Sequence, residues 1–147
     1  MHRIKLYTIG FTKKSAEVFF SEIRDAGVKI VIDVRLNNIS QLAGFAKKND
    51  LVFFLKELCD CKYLYIQDFT PTKEILDAYK KKEIDWHEYA RRFLLLIEER
   101  EIETKVSIEQ LDNACLLCSE PASEHCHRRL VSEYLAEKLI NVDVKHL

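Results

Sequence analysis

Short apolar runs and longer segments with helical spacing alternate along the chain, a pattern typical of an α/β domain. Five segments are rich in β-branched, aromatic or thiol side chains and are bounded by Gly, Pro, Asn or Asp. The segments predicted as strands are 4–9, 28–34, 62–66, 115–118 and 141–147. The run at 115–118 is wholly apolar or thiol, which indicates a strand covered on both faces, as in a parallel sheet.

Capping residues mark where the intervening helices begin. Ser15 is placed as an N-cap and Gly27 as a left-handed C-cap of a first helix. Thr70 followed by Pro71 predicts a further helix start, and Asp85 has capping-box spacing. The remaining helices are predicted over 51–58, after Ser107, and from about 123–125 onward.

This order of elements predicts a three-layer α/β fold with a mostly parallel, Rossmann-like central sheet of about five strands. Residues from about 69 to 112 form a helix-rich insertion between strands three and four. We expect a single domain over 1–147.

Composition narrows the classes of function. The chain has 147 residues, a net charge of −1 and 48% hydrophobic residues, which describes an ordinary globular protein. We expect a cytoplasmic protein, because there is no membrane-length apolar run and the N-terminus lacks a signal-peptide pattern. Five cysteines favour reduced thiols over a disulfide framework. The near-neutral charge argues against a dedicated DNA-binding protein.

Polar side chains and glycine follow the predicted strands. Because the carboxyl ends of parallel strands meet at one edge of a sheet, we expect these residues to lie together. The candidates at strand ends are Gly10, Phe11, Thr12, Asp33, Arg35, Cys118, Glu120 and, if the last strand is parallel, His146.

The first turn of the helix after strand four is expected to hold Cys126, His127 and Arg128. Free backbone N–H groups and the helix dipole make such a position suited to anions. The same field favours thiolate, so Cys126 is predicted to be the best-activated thiol. It is a candidate nucleophile or redox thiol, with a packing role as the alternative. Adjacent helical residues diverge by about 100°, so His146 is a better candidate base than His127.

Carboxylates and cysteines near the strand ends allow more than one interpretation. Asp33 and Arg35 share one strand face, which favours a structural ion pair, whereas Glu120 is a candidate general acid or base. Cys115 and Cys118 point to opposite faces of a strand and cannot easily share a metal ion. A smaller metal site from Cys118, Cys126 and His127 remains open.

Several short motifs resemble the bacterial and archaeal Domain of Unknown Function 488 family. They are YTIG, DVR, LLCSE, CHRR and the closing VKHL. The resemblance covers essentially the whole chain and implies an α/β fold, but no established reaction. Departures from the family pattern occur at Phe11-Thr12 and at residues 69–71. The positions to which the resemblance points are Gly10, Asp33, Arg35, Ser40, Cys118, Glu120, Cys126, His127, Arg128 and His146.

Together these features predict an enzyme, a hydrolase or transferase, that acts on a small anionic substrate, nucleotide-like or phosphorylated. Arg35 and Arg128 would hold the anion, while Glu120 and a histidine move protons and Cys126 or Cys118 acts covalently. The alternatives are a noncatalytic nucleotide- or nucleic-acid-binding regulatory module and a metal-dependent hydrolase. We expect no resident cofactor and no membrane partner; nucleic acid is a less favoured partner, and the oligomeric state stays open.

Overall fold

A computed structural model, described for residues 2–38, 44–120 and 122–147, contains a five-stranded sheet in which all neighbouring strands are parallel. The spatial order is β3-β2-β4-β1-β5. The α/β fold with a parallel sheet is therefore confirmed. The strands are β1 (Ile4–Gly10), β2 (Ile30–Asp33), β3 (Lys62–Tyr65), β4 (Ala114–Cys118) and β5 (Val142–His146).

Helices cover both faces of this sheet. The helices of the described residues are α1 (Ala16–Asp25), α2 (Lys48–Cys59), α3 (Lys73–Lys80), α4 (Trp86–Glu99), α5 (Ile108–Leu111) and α6 (His127–Lys138). Buried side chains of α1 and α2 form one apolar core with alternate residues of the strands, such as Val31 and Leu117. Those of α4 and α6 form the other core with residues such as Ile32 and Leu116.

The two layers create a crevice at the carboxyl edge of the sheet. After β2 the chain continues to α2 on one face, whereas after β4 it continues to α6 on the opposite face. β2 and β4 are neighbours in the sheet, and the connections that follow them diverge to its two faces. A ligand-binding crevice opens at such a point. No described helix is long and apolar enough to span a bilayer.

Three of the six predicted helix starts are confirmed. Ser15 accepts from the backbone N–H of Val18, Asp85 caps α4, and Ser107 with Gln110 forms a capping box. Gly27 has a φ of 74°, as its predicted position required.

Three predicted starts are wrong. Helix α2 begins at Lys48, three residues before the predicted start at 51. Thr72, not Thr70, caps α3, because the Thr70 hydroxyl donates to the Gln67 carbonyl within a preceding 3₁₀ turn. Helix α6 begins at His127, later than predicted, and Cys126 is its N-cap.

Gly10 permits a close approach that determines the shape of the crevice. It ends β1 beside Cys118, and a Cβ atom here would lie 1.6 Å from the carbonyl oxygen of Glu120. A side chain at this position is therefore incompatible with the path of the loop after β4.

We expect Gly10→Ala to lower the free energy of unfolding by about 1–3 kcal/mol, the usual cost of overpacking, in urea denaturation. Gly44→Ala is the matched control, because no described atom lies within 4 Å of the added Cβ, and we expect a change within about 0.5 kcal/mol. Equal stabilities of the two variants would contradict the close approach.

Candidate active site

A cavity of about 250 Å³ occupies the crevice. Its floor is formed by residues that follow β2 and β4, and α3 and α4 provide its opposite wall. Five residues predicted from strand ends and the start of α6 line it, and the structure therefore brings them together. These residues are Arg35, Cys118, Glu120, Cys126 and His127.

Asp33 and Arg35 form a buried, two-pronged ion pair beneath this cavity. Arg35 Nε and Nη2 donate to the two carboxylate oxygens of Asp33, each at 2.9 Å. Tyr63 Oη donates to the same carboxylate at 2.5 Å, and Asn38 adds a longer contact of 3.4 Å. The pKa of Tyr63 is raised, first by burial and then by its bond to Asp33. The structural interpretation of Asp33 as the partner of Arg35 is thus confirmed.

Arg35 is held rigidly while it lines the cavity. Its Nη1 donates to the Ala46 carbonyl at 2.7 Å, and its guanidinium carbon lies 5.5 Å from the centre of the Phe11 ring. Its bonds to Asp33 and Ala46 engage three of the five side-chain N–H donors of Arg35 with described residues. Phe11 is buried in the core that α1 and α2 form with the sheet, and it is not among the described residues that line the cavity.

Cys118 is the thiol that its surroundings favour as thiolate. A hydrogen bond from Cys126 is the main factor that lowers the pKa of Cys118; the backbone N–H groups of Ser119 and Glu120 and the charge of Arg128 add to it, against the effect of burial. Cys115, three residues earlier on β4, packs into the opposite core, and burial raises its pKa. The two thiols therefore lie on different faces, as predicted.

Cys126 differs from its predicted state. The structure places it at the N-cap, where its side chain makes no capping hydrogen bond. The pKa of Cys126 is raised, because its thiol donates to Cys118 and is buried. The prediction that Cys126 is the best-activated thiol is therefore wrong, because the helix begins after the cysteine and its N–H groups do not reach the sulfur.

His127 faces Cys118. Its Nε2 lies 2.6 Å from the Val34 carbonyl oxygen. Since a carbonyl can only accept, Nε2 carries a proton, and in the neutral imidazole Nδ1 therefore presents its lone pair. Nδ1 lies 3.5 Å from Cys118 Sγ. His127, rather than His146, is thus the imidazole next to a thiol.

His146 lies at the edge of the sheet. Strand β5 is parallel to β1, as its predicted placement required, and His146 Nδ1 lies 2.6 Å from Thr8 Oγ1. The pKa of His146 is lowered by partial burial and by Arg128. It is not among the described residues that line the cavity.

Arg128 is completely buried beside the cavity and supports the loop after β4. Its Nη1 donates to the Glu120 carbonyl at 2.6 Å and its Nε to Thr8 Oγ1 at 3.3 Å. The N–H of Thr12 donates to the Ser119 carbonyl at 3.0 Å. These contacts fix Ser119 and Glu120, whose own N–H groups face Cys118. Arg128, Gly10 and Thr12 thus position the loop.

Glu120 takes part in the site through both its side chain and its backbone. The residue is exposed and lies at the mouth of the cavity, while its backbone carbonyl carries the contacts with Gly10 and Arg128. Ser40, a predicted ligand-binding residue, lies outside the described residues.

An aromatic wall that the sequence did not predict covers one side of the cavity. The Trp86 ring stacks with Tyr89, at 5.2 Å between ring centres, and with His125, at 5.1 Å, and Tyr79 packs against it at a tilted angle. All four residues line the cavity. Helical spacing places Trp86 and Tyr89 on the buried face of α4, but it gives no sign that this face covers the ends of β2 and β4. Tyr63, the partner of Asp33, was also missed, because the pattern of β3 does not show that this strand lies beside β2.

Within the described part of the chain, one group of Cys, His, Asp or Glu side chains is close enough to hold a metal ion. It consists of Cys118, Cys126 and His127, whose ligand atoms lie within 4.8 Å of one another. All three residues are buried.

Comparison with protein families gives one result. The model of the family described as Domain of unknown function DUF488 matches residues 15–135. No curated protein and no solved structure matches the chain.

We expect Asp33→Ala to reduce the free energy of unfolding by about 3–5 kcal/mol, because it leaves the buried charge of Arg35 without its partner. Urea denaturation measures this change. Glu88→Gln is the control: it removes ion pairs with Arg91 and Arg92 on the surface of α4, and solvent screens such pairs. A loss no greater than that of the control would show that Asp33 is dispensable for the fold.

Proposed function

Because the chain belongs to the DUF488 family, whose description names no reaction, we propose its function from the cavity itself: an enzyme, a hydrolase or transferase, that acts on a small anionic substrate. One observation carries this proposal. A rigidly held arginine and a thiol with adjacent backbone donors line the same cavity, which opens at the divergence of the β2 and β4 connections.

Arg35 is proposed as the main anion contact. Its planar fork is preoriented by Asp33 and the Ala46 carbonyl, so little side-chain entropy is lost when a ligand binds. Lys80, on the wall formed by α3, adds a second positive charge at the cavity. A phosphate or carboxylate group fits these two cations.

The aromatic wall limits the rest of the substrate. Tyr89 and the exposed His125 both stack on the Trp86 indole, so a nucleotide base that stacks on Trp86 competes with these two rings. We therefore place the recognition of the substrate chiefly in its anionic group, and treat a nucleotide as one member of that class.

Cys118 is the proposed nucleophile, in place of Cys126. Its Sγ attacks the electrophilic atom of the substrate, and the leaving group departs with the bonding electron pair. His127, at 3.5 Å, accepts the thiol proton on Nδ1 and returns it to the leaving group. Water or a second substrate then transfers a proton to Glu120 at the mouth and attacks the atom bonded to sulfur. That bond breaks with its electron pair on sulfur, and the proton from Glu120 restores the thiol.

Anion binding can be followed with the single tryptophan of the chain, Trp86, which lines the cavity. We expect a saturable change in its fluorescence on titration with inorganic phosphate or a nucleoside monophosphate. Arg35→Lys keeps a charge beside Asp33 but loses the fork, and should weaken binding by at least about tenfold.

Two exposed lysines supply a matched comparison for that titration. Lys80→Ala should weaken phosphate binding by up to about fivefold, whereas Lys81→Ala, one residue further along and not among the described cavity residues, should leave it unchanged. Failure of every anion to perturb Trp86 would contradict the substrate class.

Reactivity of Cys118 tests the proposed nucleophile. In metal-free buffer at neutral pH, iodoacetamide should label Cys118 at least about tenfold faster than Cys115, as mapped by mass spectrometry, and inorganic phosphate should slow the labelling. Cys115 is an internal control, because it lies on the same strand and is also buried. Equal labelling rates at the two positions would exclude Cys118 as the nucleophile.

A further inference from the structure

We infer that Cys118, Cys126 and His127 form a binding site for a zinc-type divalent ion, and that this ion masks the nucleophile. The metal site rests on the geometry of the three side chains alone. The masking rests on the proposed function, because it requires Cys118 to be the reacting thiol.

The separation between the donor atoms fits a tetrahedral ion. With Zn–S near 2.3 Å and Zn–N near 2.0–2.1 Å, a tetrahedral angle places the sulfur and nitrogen about 3.6 Å apart. Cys118 Sγ and His127 Nδ1 are 3.5 Å apart. Cys126 Sγ lies within 4.8 Å of both atoms, so a small shift of its side chain places the three donor atoms at three corners of a tetrahedron.

His127 is already oriented as a metal ligand. Its Nε2 proton is engaged by the Val34 carbonyl at 2.6 Å, which leaves Nδ1 free to coordinate on the side of Cys118. A hydrogen bond from the far ring nitrogen to a backbone carbonyl is the arrangement that commonly fixes the tautomer of a zinc-bound histidine.

The chemistry of the three donors selects the kind of ion. Two thiolates and an imidazole suit zinc and related soft or borderline metals, whereas magnesium and calcium prefer oxygen donors. Binding replaces the two thiol protons, which leave to solvent, by the charge of the ion. The positive charge of the ion then compensates the negative charges of both sulfurs. This compensation is needed because Cys118 and Cys126 are only 5% and 2% exposed.

Three protein ligands leave one coordination position open. All three side chains line the cavity that also contains Arg35, so the fourth position is accessible to water or to an anion held there. With Cys118 Sγ bound to the ion, one electron pair of the sulfur is donated to the metal, and the positive charge lowers the nucleophilicity of the pairs that remain. Release of the ion would restore the free thiol.

The experiment compares metal-free protein with protein given one equivalent of Zn²⁺. Competition with a chromophoric chelator should give a 1:1 complex, and Co²⁺ in its place should produce thiolate-to-cobalt charge-transfer absorption. Cys126→Ser should weaken Zn²⁺ binding at least about 100-fold, beyond the usual effect of losing a supporting contact. Cys115→Ala, on the other face of β4, should bind Zn²⁺ like the unaltered protein.

Labelling of Cys118 then separates the two proposals. We expect Zn²⁺ to suppress labelling at least about tenfold in the unaltered protein but not in Cys126→Ser. Absence of 1:1 binding and of the charge-transfer band would overturn the metal site, while rapid, phosphate-sensitive labelling in the same sample would leave the proposed enzyme standing. If Zn²⁺ binds but metal-free Cys118 reacts no faster than Cys115, the masking is overturned and the site is a metal centre without a thiol nucleophile.

Discussion

The position of the Glu120 carbonyl is the constraint on which the rest of the site depends. This carbonyl lies against Gly10 at the end of β1 and accepts a hydrogen bond from the buried Arg128. Burying a guanidinium is costly unless its donors are satisfied, and here a carbonyl and the Thr8 hydroxyl satisfy two of them. These contacts hold the loop after β4 against the end of β1, and they keep the N–H groups of Ser119 and Glu120 directed toward Cys118.

The pair of Asp33 and Arg35 has a similar consequence on the other side of β4. A buried ion pair contributes little net stability, but it fixes geometry because its members cannot separate without leaving a charge unpaired. Tyr63 and Asn38 complete the environment of Asp33. The result is an arginine whose direction is fixed before any ligand arrives.

The fold class could be predicted from the sequence because strand periodicity is a local property. The candidate residues could be placed at one edge because the carboxyl ends of all parallel strands lie there. The sequence could not provide the strand order, since periodicity does not record that β4 lies between β1 and β2. The start of α6 could not be predicted from the sequence either. His127 and the residues before it are equally compatible with a first turn, and tertiary contacts such as the bond from His127 to Val34 decide between them. The choice of Thr72 over Thr70 has the same origin, because both are good caps and only the 3₁₀ turn excludes one.

The cysteine at the N-cap of α6 lowers the stability of this helix relative to a good capping residue. Cysteine is not among the residues that cap helices well, and the sulfur of Cys126 accepts nothing from the backbone of the first turn. A serine or aspartate at an N-cap typically stabilises a helix by about 1 kcal/mol. Helix α6 therefore forgoes that contribution at the point where it meets the cavity, and its first turn is held by tertiary packing of its neighbours instead of by its own cap. The beginning of this helix accordingly depends on side-chain contacts such as the bond from His127 to the Val34 carbonyl.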